Sequence, residues 1–340
     1  MIGVDIGGAN LKVVDEVGAH IHYCPLWKET PIREILQDYS SADNAAVVMS
    51  GELADCFASK QDGIEFIFNA VRDVFPHAIF YGTDGQFHTT PVSDLAAANW
   101  LVMADVLRDR YPDAVLVDMG STTTDIIPLN AWETLKGQTD FTRLKTGMLL
   151  YYGLLRTPVS SLIRSVCLDG SPVRVSTEYF ACAGDAHVLM GLIPPEMYTT
   201  VPPDSCSPSW DHCMRRMARM VCADVAEIGT EYVLHIAEAY VHEEQVCITQ
   251  AVRSVMEQYG CRRILTVGVG SGLLSSWLDA HDLNRDMGSL SDAMPAWAVR
   301  EAGLRTVRSS PSFSWQDLWE EVSSSGLWGI RSSFCFSLFL

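Results

Sequence analysis

Two short stretches of the chain combine residue types that handle phosphate. In IGVDIGGANLK, residues 2–12, an apolar run ends in Asp5 and turns through Gly7, Gly8, Ala9 and Asn10 to Lys12. In VLVDMGSTTTDIIPL, residues 115–129, the run ends in Asp118 and turns through Gly120, Ser121, Thr122 and Thr123 to Asp125. Small residues let backbone N–H groups approach a phosphate closely, and the hydroxyls add further donors. Each turn stands beside a carboxylate at a strand end, where an unpaired charge is costly unless a metal, a hydrogen bond or a proton compensates it. An ordinary hairpin accounts for either stretch alone. The repeat of one internal order points to two turns that face each other and grip one phosphate-bearing ligand.

Asp5 and Asp118 are the candidates to hold Mg²⁺, directly or through water, because this ion keeps several waters and uses only one or two carboxylates. Lys12 is a point charge for phosphate or a strand lysine facing solvent. Asp125, after the Thr cluster, is a base, a second metal partner or a turn cap. A third glycine-rich element, ILTVGVGSGLL at residues 264–274, sets Gly268 and Gly270 behind an apolar strand, where a ligand turn and a plain strand–helix turn read alike. His20 and His22 alternate on a presumed strand without a third ligand nearby.

The frame that must carry these residues alternates strand and helix. Strands are expected at residues 2–5, 11–15, 20–25, 45–49 and 78–81, with helices at 31–39 and 63–74. Residues 93–110 read as a connecting helix with Leu95, Ala98, Val102, Val106 and Leu107 on one face. The strand–turn pattern restarts at residue 114, long helices fill 209–259, and a closing helix is expected at 292–303. Met214, Met217, Val221 and Val225 recur at helical spacing and read as core. The expected organisation is a first domain over residues 1–95, a second over 96–303 with a helical insertion, and an atypical tail over 304–340 with no assigned function.

This motif order resembles the actin-like ATPase superfamily, and the middle of the chain is similar to one branch of its hydantoinase/oxoprolinase group. The runs that carry the likeness are GQTDFTRLKTGMLLYYGLLRTPV at 137–159, TEYFACAGDAHVLMGLIPPEMYTT at 177–200 and RRMARMVCADV at 215–225. Asn99, Trp100, Glu178, Asp185 and Arg219 also match. The branch occurs in methane-producing archaea and methylotrophic bacteria, tied to methanofuran- and tetrahydromethanopterin-linked one-carbon metabolism. The resemblance implies an α/β fold of two ribonuclease-H-like domains about a central cleft. It also implies transfer of an aryl-methyl group from an aminomethyl-furan diphosphate to the phenol oxygen of γ-glutamyltyramine, with release of pyrophosphate and no requirement for ATP. Asp5 or Asp125 would take the phenol proton. Arg156, in LLRTPV, would bind the γ-glutamyl carboxylate or make a salt bridge. The chain departs from the branch at Met148, Ser271 and Gly272, each change removing a possible polar contact near the cleft. Two other readings stand beside this one: an ATP-dependent hydantoinase-like or kinase-like enzyme, and a non-catalytic actin-like assembly module.

Composition narrows the field. The 340 residues carry 42 acidic and 24 basic side chains, a net charge of -18 that disfavours nucleic acid. Local cations such as Lys12, Arg143 and Arg156 would have to offset that field around a diphosphate. No apolar run is long enough to span a bilayer, and the opening strand argues against export, so a cytoplasmic protein acting on small molecules is expected. A homo-oligomer is compatible with the sequence. The ten cysteines form no C-x-x-C pair. Cys206, Cys213 and Cys222 are the densest group, read either as zinc ligands or, with the rest, as reduced and mostly buried thiols.

Overall fold

Five consecutive buried residues, Ile2–Ile6 (β1), form the centre of the first sheet. A computed structural model describes residues 1–28 and 31–309. β1 pairs antiparallel with Asn10–Val14 (β2), which pairs antiparallel with Ala19–Tyr23 (β3). On its other side β1 runs parallel to Ala45–Met49 (β4), followed by parallel Ile79–Tyr81 (β5) and antiparallel Phe87–His88 (β6). The order is β3-β2-β1-β4-β5-β6. All five residues of β4 are buried, as a parallel strand covered on both faces requires.

The second sheet repeats the scheme. Ala114–Met119 (β7) pairs antiparallel with Thr124–Pro128 (β8), which pairs antiparallel with Leu149–Leu150 (β9). A separate hairpin of Ser165–Leu168 (β10) and Ser171–Arg174 (β11) precedes Arg263–Val267 (β12) and His281–Asp282 (β13). β12 runs parallel to both β7 and β13, so the order β9-β8-β7-β12-β13 matches β3-β2-β1-β4-β5. Two ribonuclease-H-like sheets of one topology therefore each place a β-hairpin turn after their central strand.

Helices cover these sheets where their apolar faces demand it. In Lys60–Arg72, Ile64, Ile67, Phe68 and Val71 are buried, and Phe68 stacks on Phe80 of β5 at 4.5 Å. The Ser59 side chain accepts the Asp62 N–H and so caps the first turn. The last described helix, Met294–Ser309, lies against β1, β4 and the helix Asn99–Leu107, extending past residue 303. Residues 310–340 of the expected tail lie outside the described residues.

The connecting helix expected at 93–110 is interrupted. Ser93–Leu95 forms one 3₁₀ turn, Ala97 turns left-handed at φ 49°, and the helix begins at Asn99. A carbonyl at position 94 would accept the N–H of residue 98 in a continuous helix. Here the Asp94 carbonyl accepts the Thr83 N–H at 2.7 Å and the Thr83 hydroxyl at 3.2 Å. In the helical insertion, Trp210–Arg219 and Val225–Tyr259 bury Met214, Met217, Val233, Ile236, Ala237 and Tyr240, so the methionine stripe is core, with Val221 and Val225 at its edge. No helix among the described residues is long and apolar enough to cross a membrane.

Two glycines set how closely the last helix approaches the first sheet. A Cβ on Gly3 would lie 2.0 Å from the Ala296 carbonyl oxygen, and one on Gly303 would lie 2.9 Å from the Ala46 Cβ. Gly3→Ala should therefore lower stability by about 1–3 kcal/mol through overpacking. Gly272→Ala, whose added Cβ meets nothing within 4 Å, should be neutral or stabilising by about 0.5–1 kcal/mol. Urea unfolding of both variants checks the pair, and equal stabilities would show that the helix is not seated as described.

Candidate functional site

The two hairpin turns share one local design. In the first, the Gly7 N–H donates to the Asn10 carbonyl at 2.9 Å, while the carbonyls of Gly8 and Ala9 accept the N–H groups of Leu26 and Cys24. In the second, the Gly120 N–H donates to the Thr123 carbonyl at 2.9 Å. The Gly120 carbonyl accepts from Leu154, and the Ser121 carbonyl accepts from both Leu155 and Arg156. Each turn has its carbonyls tied back into the protein. The central N–H groups, Gly8 and Ala9 in one turn and Ser121 and Thr122 in the other, donate to no group among the described residues. That polarity suits an anion.

Close packing fixes both turns. A Cβ on Gly51, just after β4, would fall 2.8 Å from the Gly7 carbonyl oxygen, and one on Gly153 would fall 2.4 Å from the Thr122 backbone. The segment LLRTPV is thus a support for the second turn, a duty its sequence did not reveal. Gly268, left-handed at φ 87°, would bring a Cβ within 2.2 Å of Asp118 Oδ1, and a Cβ on Gly270 would strike Met119 at 2.3 Å. Both glycines let the turn after β12 lie flat against the end of β7.

The carboxylates converge. Asp5 pairs across the hairpin with Lys12, and Asp118 with Asp125. Burial raises the Asp5 carboxyl above its ordinary range and Lys12 opposes this; its Oδ1 is buried without a hydrogen-bond partner. Burial also pushes half-buried Asp118 up to about 7, helped by repulsion from Asp125 and Asp5 and opposed by Lys12 and Arg143. Asp5 and Lys12 of the first sheet act on Asp118 of the second, and Arg156 beside the second turn lies over Trp27 beside the first, so the ends of the two central strands lie near each other.

Arg143, buried in the helix Asp140–Thr146, holds this ensemble together. It pairs with Asp125, reaches Asp140 at 3.3 Å and stacks 4.1 Å from the Trp100 ring. Asp125 is therefore an ion-paired carboxylate on a strand and not a turn cap. The Arg156 guanidinium lies 5.8 Å over the ring of Trp27, which follows β3 and flanks the first turn. Asp185 pairs with buried Arg216, and Arg219 reaches Asp204 at 3.7 Å, so both serve the helical insertion.

Glu52 escaped the sequence reading. It is 2% exposed, its Oε2 has no partner, and burial raises it to about 7, with Lys60 opposing and Asp140 adding to the shift. The available signal was VVMSGE, again a strand followed by small residues and an acid. Met148 is buried with its carbonyl accepting from Arg143 at 3.3 Å, and Ser271 is buried at a helix start. Of nine described cysteines, all free, only four are buried; Cys206 and Cys222 are exposed while Cys213 is interior, which separates the group suggested for zinc. His20 and His22 both pack on Tyr39, and the His22 ring bonds its hydroxyl at 2.7 Å.

Among the described residues no three or more His, Cys, Asp or Glu side chains gather as a metal site. Mg²⁺ needs fewer protein ligands, and two neighbouring carboxylates, one with an unsatisfied buried oxygen, fit it.

Residues 43–276 match the hydantoinase/oxoprolinase family. The chain is 33% identical over 296 residues to the (4-{4-[2-(γ-L-glutamylamino)ethyl]phenoxymethyl}furan-2-yl)methanamine synthase of Methanocaldococcus jannaschii, covering 83% of this chain and 90% of that protein. It is 34% identical over 166 residues to the synthase of the same name from Methanococcus vannielii, covering 49% of this chain and 75% of that one. Among solved structures, nucleotide-free acetone carboxylase is similar at TM-score 0.44 and 10% identity over 85% of this chain, which spans 51% of the carboxylase chain.

Glu52 provides a test of the cleft's electrostatics. Between its ordinary value of 4.5 and about 7, the folded chain keeps a proton that the unfolded chain releases, so stability falls as pH rises through that window. Glu52→Gln should melt about 2–6 °C above the wild type at pH 8, and the two should converge below pH 4.5. A gain of equal size at every pH would show that Glu52 does not titrate this way.

Proposed function

The chain belongs to the hydantoinase/oxoprolinase family, and from that premise we propose that it is a transferase joining an aminomethyl-furan diphosphate to the phenol oxygen of γ-glutamyltyramine, in methanofuran biosynthesis. The observation that supports this reading is the pair of turns whose central N–H groups have no acceptor among the described residues, beside buried Asp5 and half-buried Asp118, in a chain similar to the named synthases over 90% of one's length.

The cleft's residues divide the work of such a transfer. The N–H groups of Gly8, Ala9, Ser121 and Thr122, with Lys12, grip the diphosphate and stabilise the charge that builds as it departs. Gly7, Asn10, Gly120 and Thr123 close the turns, and Gly268 and Gly270 keep the third turn pressed against Asp118 and Met119. Asp5 and Asp118 would hold Mg²⁺, which when bound neutralises the diphosphate and so eases its departure. The bond from the furan methylene carbon to the diphosphate oxygen breaks, and its electron pair leaves with pyrophosphate. The phenol oxygen forms the new bond to that carbon. Its proton, held at a pKa near 10 in the free phenol, passes to Asp125, which Arg143 orients. Holding the phenol oxygen about 3–3.5 Å from the carbon supplies the rest of the acceleration. The donor already contains its leaving group, so ATP has no part in the reaction.

A mass-spectrometric assay with both substrates and Mg²⁺, run with and without ATP, tests this. Product and pyrophosphate should form equally in both. Strict dependence on ATP, with ADP or AMP released in proportion, would replace the reading with an ATP-dependent hydantoinase-like reaction. Asp5→Asn and Asp118→Asn should each lower turnover by about 10²–10³ while melting at or above the wild-type temperature at pH 8, because each removes a carboxyl that burial raises. Loss of folding in both would make the carboxylates structural.

A further inference from the structure

Beside the second turn an exposed arginine stands without an acidic partner among the described residues. The backbone N–H of Arg156 is committed to the Ser121 carbonyl at 2.9 Å, which fixes the residue beside the second turn. Its side chain is exposed and makes no ion pair among the described residues, although the chain has 42 acidic side chains to offer. The guanidinium instead lies 5.8 Å from the centroid of Trp27, itself 40% exposed. Trp27 and Arg156 come from opposite sides of the cleft, so the arrangement exists only where the two sheets meet.

A planar cation beside an open aromatic face is suited to a ligand that carries a carboxylate and an aryl ring. The donor's diphosphate already has the unengaged N–H groups of the two turns, which leaves Arg156 for the carboxylate of the acceptor. Ser121 is three residues from Asp118, at most about 10 Å along the chain, so a carboxylate held by Arg156 sits within the span of an extended acceptor whose other end reaches the carboxylate cluster.

We propose that Trp27 and Arg156 form the acceptor subsite, in which Arg156 binds the α-carboxylate of the γ-glutamyl group and the Trp27 ring borders its aryl-ethylamine body. This rests on the synthase reading above and extends it: the turns recognise the donor, and these two residues select the acceptor. Tyramine, which lacks the γ-glutamyl carboxylate, is then a poor acceptor because it leaves Arg156 without its partner.

Steady-state kinetics with γ-glutamyltyramine and with tyramine, on wild type, Arg156→Gln, Arg156→Lys and Trp27→Ala, tests the assignment. Arg156→Gln should raise the KM for γ-glutamyltyramine by about 10–100-fold, the loss of one charge-assisted contact, and abolish the preference over tyramine. The KM for the furan diphosphate should stay within about twofold. Arg156→Lys should recover only part of the preference, because a point charge lacks the planar fork. Trp27→Ala should raise the KM for both acceptors. A rise in the diphosphate KM would assign Arg156 to the phosphate site, and an unchanged acceptor preference would make the Arg156–Trp27 contact a structural link; either overturns the subsite. If the wild type forms no product, titration calorimetry with γ-glutamyltyramine separates the two ideas. Binding that Arg156→Gln weakens keeps the subsite and discards the synthase, and no binding by the wild type discards both.

Discussion

Two carboxylates at the ends of apolar strands, close enough to repel each other, set the terms for the surrounding structure. Asp5 and Asp118 are each raised by burial, and the nearby positive charges of Lys12 and Arg143 only partly compensate. Burying such groups without full compensation costs free energy that a fold built for stability alone would avoid. The repeated sheet topology brings them together, since each stands at the end of a central strand and immediately before a turn with open N–H groups. The arrangement is internally consistent if an anion and a divalent cation enter together: the cation satisfies the carboxylates, and the anion satisfies the amides.

Much of the remaining sequence serves to keep those two ends aligned. The last helix fits against β1 because Gly3 and Gly303 remove the side chains that would hold it off. Arg143 joins Asp125 to Asp140 over the face of Trp100, a residue of the helix that leaves the first sheet for the second. Glu52 carries another uncompensated carboxyl into the same region from the loop after β4. Where Asp94 gives its carbonyl to Thr83, the connector breaks at Ala97, so the two sheets are joined by a helix shorter than its apolar pattern implied.

The sequence was informative where local chemistry decides the outcome. Strand-ending acids, glycine turns and the repeat of their order belong to contiguous residues, so both hairpins and both sheets were readable from them. The methionine stripe likewise followed from helical spacing. What could not be read depends on residues far apart in the chain. Nothing in LLRTPV announces that its backbone amides bind the carbonyls of residues 120 and 121, because a backbone donor leaves no side-chain signature. Arg143 stood out only as a charge, while its pairing with Asp125 and stacking on Trp100 required the tertiary structure. Exposed cysteines escaped because burial of a thiol is a tendency of the residue type and not a property of any one position.

The most direct measurement is a crystal structure of the protein with inorganic pyrophosphate and Mg²⁺. One pyrophosphate should bridge the cleft, accepting from the amides of Gly8 and Ala9 at one end and of Ser121 and Thr122 at the other, with the cation between it and the carboxylates of Asp5 and Asp118. Pyrophosphate bound at one turn alone, or away from both, would show that the two hairpins do not act as a single diphosphate site.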